Sequence, residues 1–320
     1  MSEKTPRNLE ASVKSRLLTL AREQREELQS VLIRYAGERF LYRLSVSPYR
    51  ERFVVKGATL FSLWLGSPHR PTRDLDLLGF GTQEIAPIIE IFQALCRQTV
   101  EADGLAFDAE SVSVSTARED EKYAGLRVVF QARLGNAKIS MQVDIGFGDT
   151  ITPLAMEAEM PSLLNAPAAR LLVYPRETVV AEKCEALIDL GLGNSRLKDF
   201  YDLRYLAMHF DFDGALLRDA LAATCRQRGT VILSVPSSAL TPEFYEDVGR
   251  ARQWQAFWKR SDLSGEPLVS LEDCIQLLNV FLLPPLQAVR DQTTFEAAWS
   301  HEQAQWSSRP SAEANQIAAG

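Results

Sequence analysis

Residues Phe53 to Phe80 read FVVKGATLFSLWLGSPHRPTRDLDLLGF, and this stretch decides how the first half of the chain folds. Phe53, Val54 and Val55 read as the end of a buried strand, and Lys56-Gly57-Ala58 as a turn whose small residues let backbone approach a ligand. Leu60, Leu63 and Trp64 give a short helix beginning at Thr59 its apolar stripe, and Gly66-Ser67-Pro68 stops it. After the loop His69-Arg70-Pro71-Thr72, Arg73 leads into Asp74-Leu75-Asp76-Leu77, an alternation that predicts a strand. Successive strand side chains point to opposite faces, so Asp74 and Asp76 share one face and Leu75 and Leu77 the other.

Two carboxylates on one strand face repel each other, and oxygen ligands at that spacing suit a hard divalent cation such as Mg2+. Amide groups at the start of the Thr59 helix would hold a phosphate beside it. An exposed strand kept soluble by two charges produces the same short pattern. A third acid bears on the choice. In Ile139-Ser140-Met141-Gln142-Val143-Asp144-Ile145 the odd positions are apolar, which puts Asp144 on the polar face of a second strand.

With these acids the chain resembles the AbiEii/AbiGii toxin family of bacterial nucleotidyltransferases. The resemblance spans about Ala11 to Trp258. It is carried by Lys56-Gly57, by Arg70-Pro71-Thr72-Arg73-Asp74-Leu75-Asp76-Leu77, by Gln142 to Asp149, by Glu177 to Cys184, and by Asn194 to Leu203. Where many such chains have a second glycine, this one has Ala58. The resemblance implies an enzyme that moves a nucleotidyl group from a nucleoside triphosphate, with Asp74, Asp76 and Asp144 holding Mg2+ or Mn2+. It also implies that Lys56, Gly57, Thr59, Arg73 and Lys183 contact the nucleotide and that Lys183 and Asp199 join the catalytic set. Asp144 would bind a second ion or serve as base, and Asp199 would position Lys183, nucleotide or acceptor. The implied acceptor is the 3′ end of tRNA, and the implied partner a separately encoded antitoxin. A small-molecule acceptor, a protein acceptor, or a nucleotide-binding module without turnover would use the same acids.

Length and composition permit this. A chain of 320 residues with 46% hydrophobic content can bury a large core as one long domain or two. No apolar run is long enough to cross a bilayer and the polar start is no signal peptide, so a cytoplasmic location is expected. Cys96, Cys184, Cys225 and Cys274 are widely spaced among apolar residues, which argues against disulfides or a zinc site. A net charge of -7 excludes a generally basic nucleic-acid binder and requires any RNA to meet a local basic patch. Candidates are Arg34, Arg39, Arg43, Arg50 and Arg52, for which a solvated helix face is the usual explanation, with Arg226, Arg228, Arg250 and Arg252.

Periodicity predicts helices near 9–20, 28–44, 85–98, 177–191 and 271–282, strands at 112–115 and 126–134, and a hairpin turn at Gly135-Asn136 leading into the Asp144 strand. Lys183 falls on the apolar stripe of its helix, where a lysine either snorkels to water or aims its ammonium at a phosphate. Asp199 sits at the head of the next helix, a common place for a cap, and Asp202 is a weaker candidate on that helix. The prolines between Thr152 and Pro175 mark a boundary. The expected architecture is α+β: a nucleotidyltransferase-like mixed sheet with helices over residues 1–165, a helical domain over 166–300, and a disordered tail over 301–320.

Overall fold

Alternating apolar residues fold two segments into a long antiparallel hairpin, which we label β4 (Gly125–Leu134) and β5 (Ala137–Phe147). Gly135 turns it with a φ of +58°, a left-handed backbone that costs glycine no steric penalty. The computed structural model describes residues 8–66, 69–116, 125–261 and 268–308. Around the hairpin lie β1 (Phe53–Lys56), β2 (Asp74–Gly79), β3 (Leu105–Thr116), β6 (Met156–Glu159) and β7 (Arg170–Val173). They complete a seven-stranded sheet in the order β3-β4-β5-β2-β1-β7-β6. The β2/β5 and β1/β7 pairs are parallel and the others antiparallel, so the sheet is mixed, as expected. Strand β3 is longer than its sequence predicts. Its register against β4 shifts between Asp108 and Ser113, and that irregularity hides the two-residue alternation.

One face of this sheet is apolar. Helices α1 (Leu9–Gln24), α2 (Leu28–Ser45), α3 (Thr59–Leu65) and α4 (Ile85–Arg97) belong to the same half of the chain. A Cβ added at Gly37 of α2 would lie 3.4 Å from Leu75 Cδ2, so the helix reaches the leucine face of β2. Phe40 of α2 and Phe92 of α4 meet Phe130 of β4 with ring centroids 4.8 and 6.2 Å apart. The leucines of β2 are thereby buried, while Asp74 and Asp76 on its other face stay half-buried.

The arginines of α2 neither face solvent as a group nor form a substrate patch. Arg39 and Arg43 are buried, and both bind Asp103: Arg39 Nε lies 3.2 Å from Oδ2 and Arg43 Nη1 2.6 Å from the same oxygen. Burial by itself raises the Asp103 carboxyl pKa. The Arg43 hydrogen bond and charge, with hydrogen bonds from the Leu105 amide and Arg39, together more than offset this and hold it below the ordinary carboxylate range. Arg34 pairs with Glu26 at 2.9 Å. Sequence spacing could not reveal Asp103, which stands 60 residues from Arg43 along the chain.

The chain divides into two compact units. The first holds residues up to Gly148 with Ala155–Tyr174, and the second holds Asp149–Leu154 with residues from Pro175 on. The boundary expected at residue 165 therefore falls after Tyr174, because β7 pairs with β1 in the first unit. The second unit carries α5 (Arg176–Leu190), α6 (Leu197–His209), α7 (Gly214–Arg228), α8 (Pro242–Tyr245), α9 (Val248–Arg260) and α10 (Leu271–Arg290). It is not wholly helical. Strands β8 (Phe212–Asp213), β9 (Ala297–Ser300) and β10 (Gln305–Ser308) form a small antiparallel sheet.

That sheet corrects the expected tail in part. His301–Ser308 is ordered because Trp306 donates its indole N–H to the Phe281 carbonyl at 2.9 Å and stacks on the Phe281 ring. Residues 309–320 lie outside the described residues. The four cysteines are buried free thiols, and burial pushes Cys96, Cys225 and Cys274 up to about 12. Among the described residues no helix is long and apolar enough to cross a membrane.

Candidate active site

Strand register assembles the charged face of the first unit. Lys56 of β1 stands opposite Asp76 of β2, Asp76 beside Asp144 of β5, and Asp144 opposite Arg127 of β4. Residues facing one another on neighbouring strands put their side chains on the same face. The four therefore make a row across the sheet, cation, carboxylate, carboxylate, cation. Asp74 lies two residues from Asp76 on that face, opposite Gln142. The sequence-predicted acids are thus brought to one face of two adjacent strands.

Gly57 matters to this row for a reason its sequence does not declare. Its φ is +73°, and a Cβ there would fall 1.9 Å from Asp76 Oδ2, inside the carboxylate. The glycine lets the backbone pass against Asp76. Gly148 is a fair control, since its φ is +78° but nothing lies within 4 Å of its would-be Cβ. We expect Gly148→Ala to cost only the left-handed strain, about 1–2 kcal/mol. Gly57→Ala should cost more in urea unfolding and lower turnover in addition, because Asp76 must move. Equal unfolding costs with unchanged turnover in both variants would show that the close approach has no role.

The start of α3 is less open than expected. The Leu60 amide already donates to the Gly57 carbonyl at 3.3 Å, and the Phe61 amide to the Ala58 carbonyl at 3.2 Å. These two N–H groups are therefore engaged. The buried Thr59 hydroxyl has no hydrogen-bond partner among the described residues. Lys56 Nζ lies 5.2 Å from the centroid of the Tyr174 ring, and Arg73 is exposed just before β2.

Arg127 was absent from the sequence-derived candidates. Its Nε donates to Asp144 Oδ1 at 2.8 Å and its Nη2 to Oδ2 at 2.9 Å, a forked pair, and Gln142 Nε2 adds a contact at 3.2 Å. The hairpin held the signal. A two-residue turn at 135–136 pairs Leu134 with Ala137, and counting back along the ladder sets Arg127 against Asp144.

The second unit gathers the other predicted residues. Lys183 Nζ of α5 lies 2.6 Å from Asp199 Oδ1 and 2.8 Å from Asp202 Oδ2, both on α6. The lysine does not snorkel. Its ammonium is held by two carboxylates, so Asp202, which is fully buried, is a direct partner alongside Asp199. Asp199 is not a helix cap either, since Arg196 holds the N-cap position without a side-chain hydrogen bond. Nearby in the same unit Arg228 binds Asp149 at 2.9 Å and Glu185 at 2.8 Å. Burial alone would lower its pKa, but Glu182, at 3.5 Å, together with Asp149 and Glu185 holds it above the ordinary arginine value. Arg250 donates to the Leu192 carbonyl and lies over the Phe244 ring. Arg228 and Arg250 are thus part of the fold's own bonding, whereas Arg226 and Arg252 are exposed.

The donor set on the β2/β5 face is all oxygen, which suits a hard divalent cation. Among the described residues no three His, Cys, Asp or Glu side chains are gathered closely enough to hold a metal ion, and Asp144 is engaged by Arg127. Asp74 and Asp76 fit the ion in chemistry, as does the carboxylate of Asp144, whose two oxygens are taken up by Arg127.

Comparison with known proteins gives the class. The family model for the nucleotidyl transferase AbiEii toxin of type IV toxin-antitoxin systems matches residues 39–290. The chain belongs to this family and is a nucleotidyltransferase. No curated protein matches its sequence. Among solved structures it is similar to JHP933 from Helicobacter pylori, at 14% identity and a TM-score of 0.45 over 79% of this chain and 89% of that one. It is also similar to a proposed nucleotidyltransferase from H. pylori, at 14% identity and a TM-score of 0.43 over 79% and 92%.

Proposed function

We propose that this protein transfers nucleotidyl groups from a nucleoside triphosphate to the 3′ end of tRNA, as a toxin restrained by a separately encoded antitoxin. The observation that carries the transfer chemistry is the row Lys56, Asp76, Asp144, Arg127, with Asp74 on the same face. Asp74 and Asp76 would hold Mg2+ or Mn2+, with Asp144 the third carboxylate. The ion supplies charge neutralisation at the triphosphate and pyrophosphate. Lys56 at one end of the row offers positive charge to the phosphates, and the Thr59 hydroxyl offers a donor. In the reaction the acceptor hydroxyl oxygen bonds to the α-phosphorus, its proton passes to a carboxylate of this face, and pyrophosphate leaves with the electrons of the broken P–O bond. Lys183 would serve phosphate as well, oriented by Asp199 and Asp202.

A small-molecule acceptor is the second reading. It is favoured by the internal use of Arg39, Arg43, Arg228 and Arg250, which removes four of nine arginines considered for an RNA-binding surface. Incubation with each labelled nucleoside triphosphate, Mg2+ and total cellular RNA or protein tests the tRNA reading and tells an RNA acceptor from a protein one. Label in tRNA, with a log-log salt dependence of binding of about -2 or steeper, supports the tRNA reading. Label in protein alone, or negligible RNA affinity at low salt, refutes it while leaving nucleotidyl transfer intact.

A further inference from the structure

Arg127 occupies the carboxylate that the metal-nucleotide reading needs third. Both oxygens of Asp144 accept from its guanidinium, and Gln142 donates to the same group. A divalent ion approaching Asp144 would meet a positive charge already bound there. The fork is also exchangeable. The Arg127 side chain is 37% exposed and the Asp144 side chain 26%, so a ligand arriving from solvent can reach the guanidinium without unfolding the sheet. A guanidinium matches phosphate as well as carboxylate, because two parallel N–H donors fit two oxygens of either group. A triphosphate bound along the row would bring the competing oxygens to Arg127.

We propose that Arg127 is an exchange ligand: it holds Asp144 while nucleotide is absent and passes its fork to a phosphate of the incoming nucleoside triphosphate, releasing Asp144 to the divalent cation. Arg127 is then a positioning residue that couples two bindings. Metal tightens nucleotide and nucleotide tightens metal by the same factor, since coupling between binding sites is reciprocal. The inference rests on the metal-nucleotide reading of this face.

Mn2+ titrations followed by electron paramagnetic resonance test it without relying on turnover. Wild-type protein, Arg127→Met and Asp76→Asn are titrated alone and with a non-hydrolysable triphosphate analogue. Wild-type protein is expected to bind Mn2+ at least about tenfold more tightly when the analogue is present. Arg127→Met is expected to bind Mn2+ about tenfold more tightly than wild type when alone, and to gain less than about threefold from the analogue. Wild-type affinity in Arg127→Met, or undiminished coupling, overturns the inference. Should the methionine variant fail to fold by circular dichroism, Arg127→Lys, which keeps a charge but cannot fork, is expected to weaken the coupling; wild-type coupling there overturns it equally. Asp76→Asn keeps the two failures apart. If Asp76→Asn abolishes Mn2+ binding while Arg127 variants leave it unchanged, only the exchange role fails; if no Asp76-dependent binding exists, the metal reading fails too.

Discussion

Asp74→Asn and Asp76→Asn are each expected to lower nucleotidyl transfer at least about a thousandfold, ~4 kcal/mol of transition-state stabilisation, with the fold intact. Asparagine keeps the shape of aspartate, so Asp76→Asn still fits against Gly57, where the space is too small for even an added methyl carbon. Each change also removes one of two like charges on the β2 face, which relieves repulsion in the absence of metal. The thermal midpoint should therefore hold or rise. Single-turnover kinetics and a melting curve on each variant check both halves. Loss of folding in either variant would assign these acids to the structure instead, and wild-type turnover would remove them from the chemistry.

Lys183→Met is expected to destabilise the second unit by about 3–5 kcal/mol. Read on its helix alone, Lys183 lies on an apolar stripe that methionine would complete, which predicts unchanged or improved stability. The structure reverses that sign. Asp199 and Asp202 are both buried, and each relies on the Lys183 ammonium within 2.8 Å, so methionine withdraws that counter-charge from two carboxylates at once. Urea unfolding measures the loss. Adding Asp202→Asn should restore part of it by neutralising the acid that is fully buried. A Lys183→Met variant as stable as wild type would mean the trio contributes nothing to folding and would restore the snorkelling interpretation.

Local pattern revealed most of the first unit because its determinants are local. The alternation around Asp74 and Asp144 placed both acids on polar strand faces, and Gly135-Asn136 set the hairpin. What sequence could not show are pairings closed by tertiary contact. Arg39 and Arg43 find Asp103 across some 60 residues, and Lys183 finds two acids on the next helix instead of water. Composition misled at His301–Ser308, where a polar segment hides one indole that packs on Phe281. Arg127 lay between these extremes. Its place opposite Asp144 follows by counting from a turn already identified, and it was overlooked because a lone arginine in a strand carries no motif.

The chain passes from the first unit to the second after Gly148, returns after Leu154, and leaves again after Tyr174. The short excursion is well anchored: Asp149 binds Arg228, and Thr178 exchanges hydrogen bonds with the backbone of Thr152 at 2.7 and 3.1 Å. The two halves are consequently not separable modules. Severing the polypeptide at Gly148 deprives the first of β6 and β7, and severing it at Tyr174 deprives the second of Asp149–Leu154. A gene rearrangement with a single crossover can hand on at most one half whole, so an intact pair passes between relatives only as one piece.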